Sequence, residues 1–464
     1  MKIHTSYSVK IKYYNRIFAE TVRLYRAAVD FFIDVAIAEW NTLSLHDTSK
    51  ERVNAIEKLT IQTKKRPNVT YDFGALYYKF PSYLRRAAIQ ESLGKVSSYM
   101  SNLDNWMRSN VLMRGKKPSR PRAGRVSPAM YKDGSYVRID NYTAKIKVFT
   151  RNTWDWLTVS LGKSDVDYIL RHCTNRKECV PTLRNRGKEW FLDFSFEENV
   201  DLSDKSVSEQ KILAVDLGLN NAATVSVMTF GGTVIGRKFM RLPREYDSLN
   251  HAINRIKKAQ QHGARRTPGL WACAKGINDR IATLTADFLM ETALQYGVDV
   301  IVFEYLNISR RKCGSKKQRL HLWRAQYVQS MVSDKAHRAG IRISRVNAWG
   351  TSRYAFDGSG KVLRGKESLE TQGSYSLCKF TTGKLYNCDL NATYNIGARY
   401  FIREITKSLP VTERLALEAK VPPIARRSTC TWSDLIAAQR ILHSSIPVNH
   451  LYFDELQGQA AMVG

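Results

Sequence analysis

Acidic residues are scarce in this chain of 464. It has 42 Asp and Glu against 73 Lys and Arg, a formal charge of +31. A chain so charged repels itself unless a polyanion neutralises it, and nucleic acid is the first candidate partner. Long apolar runs are also missing. No stretch is long and apolar enough to span a bilayer, and the opening MKIHTSYSVKIKYY lacks the apolar core of a secretory signal. Cysteine is sparse: seven residues, an odd number, scattered along the chain. That excludes a disulfide framework and fits a reducing, cytoplasmic setting. Cys173 and Cys179 read as ordinary free thiols, with no second pair to complete a metal site. What is present is a globular composition, 43% hydrophobic and 11% aromatic, long enough for two to four domains.

Periodicity divides the chain. Tyr7, Val9 and Ile11 alternate as in a strand. Phe18, Val22, Tyr25, Val29, Phe32 and Ala36 then step by four and three, as do Ile89, Leu93, Val96, Met100, Leu103 and Met107. Each set predicts one apolar stripe on a long helix. Residues 115–125, GKKPSRPRAGR, hold five basic residues and no acid, and read as a linker or a phosphate-facing loop. The period then becomes two. Val137 and Ile139, Ile146 and Val148, Leu157, Val159 and Leu161, and finally Trp190, Leu192, Phe194 and Phe196 predict a small β-barrel or curled sheet. From residue 211 the pattern is a three-strand meander, then helix, strand, helix and strand. That is the order of an RNase H-like domain. Basic runs at 237–244, 254–266 and 310–319 favour phosphate contact.

Three acids sit where such a domain could use them. Residues 211–221, KILAVDLGLNN, form a short buried strand ending in Asp216 before a turn at Gly218. Residues 298–307, VDVIVFEYLN, carry Glu304 at the end of another apolar run. Residues 388–399, CDLNATYNIGAR, open with Asp389 at the start of a helix. Singly, each has a plain reading: a turn aspartate, a strand-end acid paired to Arg310, and a helix N-cap. Jointly they fit a site for two Mg2+ or Mn2+ ions. Hard cations prefer carboxylate oxygens and need no Cys or His. Two of them can activate water and stabilise the leaving oxygen of a phosphodiester.

AVDLGLNN, VIVFEYLN and CDLNATYNIGAR resemble the three split motifs of the RuvC nuclease in TnpB transposon-encoded proteins and the small type V CRISPR effectors related to them. The strand GKEWFLDFSF resembles the last strand of that family's wedge domain. The likeness covers roughly residues 1–404. It implies an RNA-guided DNA endonuclease. Its partners would be a structured guide RNA and a target DNA duplex, bound as a monomer or a homodimer on the RNA, with no membrane role. The runner-up is a guided DNA-binding repressor that does not cut. The implied fold is multidomain α+β: an RNase H-like (RuvC) domain, an oligonucleotide-binding-like β-barrel wedge, and an inserted helical recognition lobe. The implied layout is a first wedge strand at 1–12, the helical lobe at 13–114, the wedge barrel at 115–202 and RuvC motifs I and II at 208–350. A degenerate zinc-ribbon-like insertion at 351–387, motif III at 388–404 and an extension at 405–464 complete it. Asp216, Glu304 and Asp389 would ligate the metals, and Arg399 falls where the family has a basic residue near the cut phosphate.

The chain departs from that family at the ribbon. Ala355 and Gly358 stand where the first CxxC pair belongs, and Cys378 is followed by Thr381 at its partner position. Zinc needs four donors, so no structural zinc is expected there, only a shrunken hairpin.

Overall fold

The computed structural model describes residues 1–13, 16–111, 114–218, 221–306, 324–426 and 428–445. The basic run at 310–319 and the last part of the C-terminal extension lie outside them. The chain forms two compact units, Lys2–Asn199 and Val200–Gly464, the second including Met1. No described helix is long and apolar enough to cross a membrane.

In the first unit the two long helices are Ile17–Ala38 and Ser82–Arg108. Their apolar stripes meet as far as Val96, whereas Met107 at the end of the second is exposed, and Ser92 Oγ donates to Val29 O at 2.9 Å inside the contact. The strands are β1 (Lys2–Lys10), β2 (Tyr136–Arg138), β3 (Thr143–Thr150), β4 (Thr153–Ser160), β5 (Lys177–Glu178), β6 (Thr182–Arg186) and β7 (Glu189–Asn199). They do not close into the expected barrel. β2–β3–β4 is one sheet, while β7 joins β1, β5 and β6 in another. Closure needs a continuous ladder around the ring. Among the described residues the two sheets meet at one isolated bridge, Ile11 to Leu161, beside which Gly162 N donates to Lys10 O and Lys12 N to Ser160 O; a second bridge, Ala129 to Thr182, ties β6 to the segment ahead of β2. The second bridge is flanked by Pro128 and Pro181, which have no N–H to extend a ladder. Period-two alternation marks a buried face. It does not specify which edges pair.

The second unit is built on a five-stranded sheet of order β10–β9–β8–β11–β12. Its strands are β8 (Lys211–Asp216), β9 (Ala223–Thr229), β10 (Val234–Met240), β11 (Val300–Tyr305) and β12 (Arg342–Asn347). β8, β9 and β10 form the antiparallel meander, whereas β11 runs parallel to both β8 and β12. Parallel neighbours require crossovers. The helices Pro243–Gln261 and Pro268–Gln295 supply one, and Ala325–Arg338 lies in the other.

β8 and β11 are apolar on both faces because both faces are covered. Leu213, Val215, Ile301 and Phe303 belong to a core with the Pro268–Gln295 and Ala325–Arg338 helices. Ile212, Ala214, Val300 and Val302 belong to a core with the helix Cys388–Ser408. Gly397 lets that helix approach closely: a Cβ there would press on Met228 and lie 3.4 Å from Ile212 Cδ1. The extension folds back on the same core through Leu417, Ile424, Leu435 and Ala438. Its last described helix is Trp432–Ser445. Asp434 Oδ2 accepts from Thr431 N and Thr431 Oγ1, both at 2.8 Å. The residues between β12 and the Cys388 helix form a small sheet of β13 (Leu363–Arg364), β14 (Leu377–Lys379) and β15 (Leu385–Asn387).

Asp299 secures the start of the parallel pair. Its buried carboxylate accepts from Lys211 N at 3.0 Å, Ser203 Oγ at 3.0 Å and Lys205 Nζ at 2.9 Å. Burial opposes its charge, yet these donors together hold its pKa below the ordinary carboxylate value. A depressed pKa contributes stability that is fully present above the unfolded value and is lost as pH falls through the folded one. Asp299→Ala is therefore expected to cost about 2–3 kcal/mol at neutral pH, because the Lys211 amide loses its acceptor. The cost should shrink under acid conditions; chemical denaturation of both proteins across pH 3 to 7 measures it.

Candidate active site

Pairing register brings two of the three acids together. Phe303 stands opposite Val215 on neighbouring parallel strands, so Glu304 and Asp216 are the next residues on each. Asp216 continues the Ile212, Ala214 face and Glu304 the Val300, Val302 face. Both therefore emerge on the side covered by the Cys388–Ser408 helix, at the sheet end where that helix starts. Asp389 lies in its first turn. The N-cap of this helix is Asn387, whose Oδ1 accepts from Asp389 N at 3.0 Å and Leu390 N at 2.9 Å. The capping role is thus filled, and the Asp389 carboxylate is left to accept from Asn221 Nδ2 at 2.7 Å. Asn221 is itself oriented by Arg241, whose Nε donates to its Oδ1 at 3.3 Å.

Gly218 lies close against Asn221. A Cβ on Gly218 would fall 2.8 Å from Asn221 O, so a side chain at 218 would disturb the segment that holds Asp389. A cavity of about 80 Å³ is lined by Leu217, Gly218, Asn250, Asn278 and Arg324, among others.

Electrostatics bind the acids into one system. Asp216 keeps some solvent contact but is densely surrounded, and burial raises its pKa well above the carboxylate range. The charges of Glu304 and Asp389 raise it further, and the Cys388 thiol adds to them. Burial also raises Glu304, but a hydrogen bond from Thr351 Oγ1 and the positive charge of Arg399 oppose that shift. The repulsion falls chiefly on Asp216, since a proton held there relieves its neighbour.

Arg399 is not turned outward. It is 4% exposed. Its Nη1 donates to Asn347 O at 2.7 Å and Trp349 O at 2.9 Å, and its Nε to Cys430 O at 3.1 Å. It thereby fixes the chain just after β12 and lends charge to Glu304. Two asparagines of the same helix assist. Asn391 accepts from Phe356 N at 2.8 Å and donates to Tyr354 O at 2.8 Å, while Asn395 donates to Thr351 O at 2.9 Å. Thr351 is so placed to meet Glu304. Asn221 and the asparagines lay inside the motifs, where their pattern was visible. Thr351 had no sequence signal, because its partner is 47 residues away. Arg310, the alternative partner of Glu304, is outside the described residues.

A buried carboxylate whose proton affinity is raised by two neighbouring acids, as Asp216 is, suits a hard divalent cation, which would favour its ionised form. The set is open. The oxygens of all three do not come within 4.8 Å of one another, against about 3 Å between adjacent ligands on one magnesium ion. The small sheet has an apolar core of Ala355, Val362, Cys378, Phe380 and Cys388. Thr381 Oγ1 donates to Ser359 O at 2.5 Å, tying the segment after β14 to the segment before β13.

Comparison with known proteins gives two results. The Aq_aa04 family matches residues 5–150. The protein aq_aa04 of Aquifex aeolicus (strain VF5) is 33% identical over 121 residues, covering 24% of this chain and 68% of that protein. The family match ends before the three acids, and the relative covers 24% of the chain. Among solved structures, the fold is similar at low identity to several CRISPR effectors. Against a Cas12f1–sgRNA–target DNA complex the TM-score is 0.33 at 14% identity, covering 85% of this chain and 98% of that one. Against CasPhi-2 (Cas12j) bound to crRNA and phosphorothioate DNA it is 0.43 at 10%, covering 86% and 91%. Against Alicyclobacillus acidoterrestris C2c1 with single-guide RNA it is 0.41 at 11%, covering 83% and 66%. At such scores the likeness does not bear on activity.

Replacing Arg399 by Lys keeps a charge but loses the fork that serves three carbonyls. The variant is expected to lose about 2–4 kcal/mol of stability, since buried carbonyls are left without donors. Denaturant unfolding reads the change. A loss below 0.5 kcal/mol would assign those carbonyls to other support.

Proposed function

We propose that this chain, which belongs to the Aq_aa04 family, is an RNA-guided DNA endonuclease that hydrolyses phosphodiester bonds at the Asp216, Glu304 and Asp389 site. The observation that carries the hydrolytic part is the convergence of the three carboxylates. Two end adjacent parallel strands and the third opens the helix laid across them. A fold gains no stability from gathering such mutually repulsive groups, so a ligand that needs them is the economical reading. The guided part rests on the likeness of the three motifs to the TnpB and type V nucleases, and on a charge of +31 suited to a large RNA and its heteroduplex with DNA.

In this reading Asp216, Glu304 and Asp389 hold Mg2+, or Mn2+ in its place. The bound cations supply an activated water and stabilise the leaving oxygen. The remaining groups keep the ligands in position. Asn221 orients Asp389, Thr351 orients Glu304, and Asn387 caps the helix so that Asp389 is spared for ligation. Arg399 acts from behind the site, through the backbone after β12 and through its charge on Glu304. The helical part of the first unit and the basic residues 115–125 offer the surface for guide RNA and target duplex.

The test is to purify the chain with co-expressed RNA from its own locus, sequence the RNA retained, and supply matching duplex DNA with Mg2+. A defined RNA and Mg2+-dependent cleavage are expected. Asp216→Ala should reduce the cleavage rate by about a thousandfold or more while DNA binding persists. DNA bound but never cut by the unmodified protein would make it a guided repressor instead. Absence of any defined RNA would overturn guidance altogether.

A further inference from the structure

A second cluster of ligand-type side chains lies in the Lys2–Asn199 unit, far along the chain from any of the three acids. His4, Cys179 and Glu197 each offer one donor atom, and the three atoms lie within 4.8 Å of one another. Their meeting follows from strand register. His4 on β1 stands directly opposite Glu197 on β7. On the other side of β7, Lys177 pairs with Glu197, and two residues later Cys179 N donates to Ser195 O at 2.7 Å. Residues two apart on a strand share a face. His4, Glu197 and Cys179 therefore project from the same face of three adjacent chain segments.

The donor set is chemically distinct from the acid site. One imidazole nitrogen, one thiolate sulfur and one carboxylate oxygen are the ligands Zn2+ takes, and a hard cation such as Mg2+ has no preference for sulfur. In a tetrahedral zinc site the ligand atoms stand about 3.3–3.6 Å apart, which rotamer adjustments could reach from here. A thiolate and a carboxylate would neutralise the ion. Glu197 is now engaged by Lys2 at 3.1 Å and by Lys177 at 3.8 Å. Both lysines are mostly exposed, at 64% and 75%, and such surface pairs are weak enough to be displaced.

We infer that His4, Cys179 and Glu197 form a Zn2+ site with three protein ligands, the fourth position open to water. Its structural effect would be to staple β5 to β1 across β7. β5 has only two residues, Lys177 and Glu178, so it has little ladder of its own to hold it. The site is separate from the lost ribbon, whose cysteines, Cys378 and Cys388, are buried in another core.

The experiment uses the full chain, stripped with a chelator and titrated with zinc by calorimetry. One Zn2+ per chain is expected at this site, undisturbed by millimolar Mg2+. His4→Ala and Cys179→Ser should each weaken binding at least about tenfold, while Cys378→Ser and Asp216→Ala leave it unchanged. With cobalt in place of zinc, a thiolate-to-metal charge-transfer band should appear and vanish in Cys179→Ser. Hydrogen exchange of the 177–180 amides should slow on zinc addition. No stoichiometric zinc in the unmodified chain, or equal binding by the His4 and Cys179 variants with unaltered circular dichroism, would overturn the site. Loss of binding in Cys378→Ser alone would do the same.

Discussion

One helix laid across one face of a mixed sheet is the constraint on which the second unit depends. Residues 391–402 of the Cys388–Ser408 helix are all buried, as in a helix covered on every side. Ile396 and Phe401 pack in the core that holds Ile212, Ala214, Val300 and Val302. Ser226 and Thr393 share a hydrogen bond at 2.6 Å within the contact. Once the helix is seated, its first turn can lie only at the carboxyl ends of β8 and β11. Apolar packing thus carries Asp389 near enough for its charge to act on Asp216.

That arrangement sets hydrophobic burial against electrostatic repulsion. Ionising several carboxylates in a crowded space is unfavourable, and the resulting rise falls on Asp216. The surroundings limit the cost without removing it. Asn221 donates to Asp389, Thr351 donates to Glu304, and Arg399 lends a buried positive charge while spending its hydrogen bonds on the backbone. Each of these partners comes from a different stretch of the chain, so the site is held from several directions.

Much of the second unit could be read from the sequence. Apolar runs ending in Asp216 and Glu304 give buried strands because both faces of β8 and β11 are covered, and a continuous run is what such a strand requires. The helix beginning beside Asp389 was legible for the same reason. The barrel was not, since alternation specifies a face and leaves strand partners open. Prolines 128 and 181 were in plain view, but their effect depends on which segments come together. Arg399 adds a part that its motif did not announce: its Nε and Nη1 serve backbone carbonyls of two other segments. Cys179 read as an isolated thiol because its neighbours, His4 and Glu197, become neighbours only through register.

The chain order of the acid cluster has a consequence for synthesis. Asn221 and Asp389 are 168 residues apart, and the core that seats the Asp389 helix also takes in Leu435 and Ala438. Trp432 Nε1 donates to Gly232 O at 2.9 Å, linking the extension to the β9–β10 turn. A ribosome releases the first unit, then the meander, long before it releases these groups. Chains that stop short of residue 388 therefore lack Asp389 and the helix that carries it. The helix that carries Asp389 emerges after the strands that carry Asp216 and Glu304.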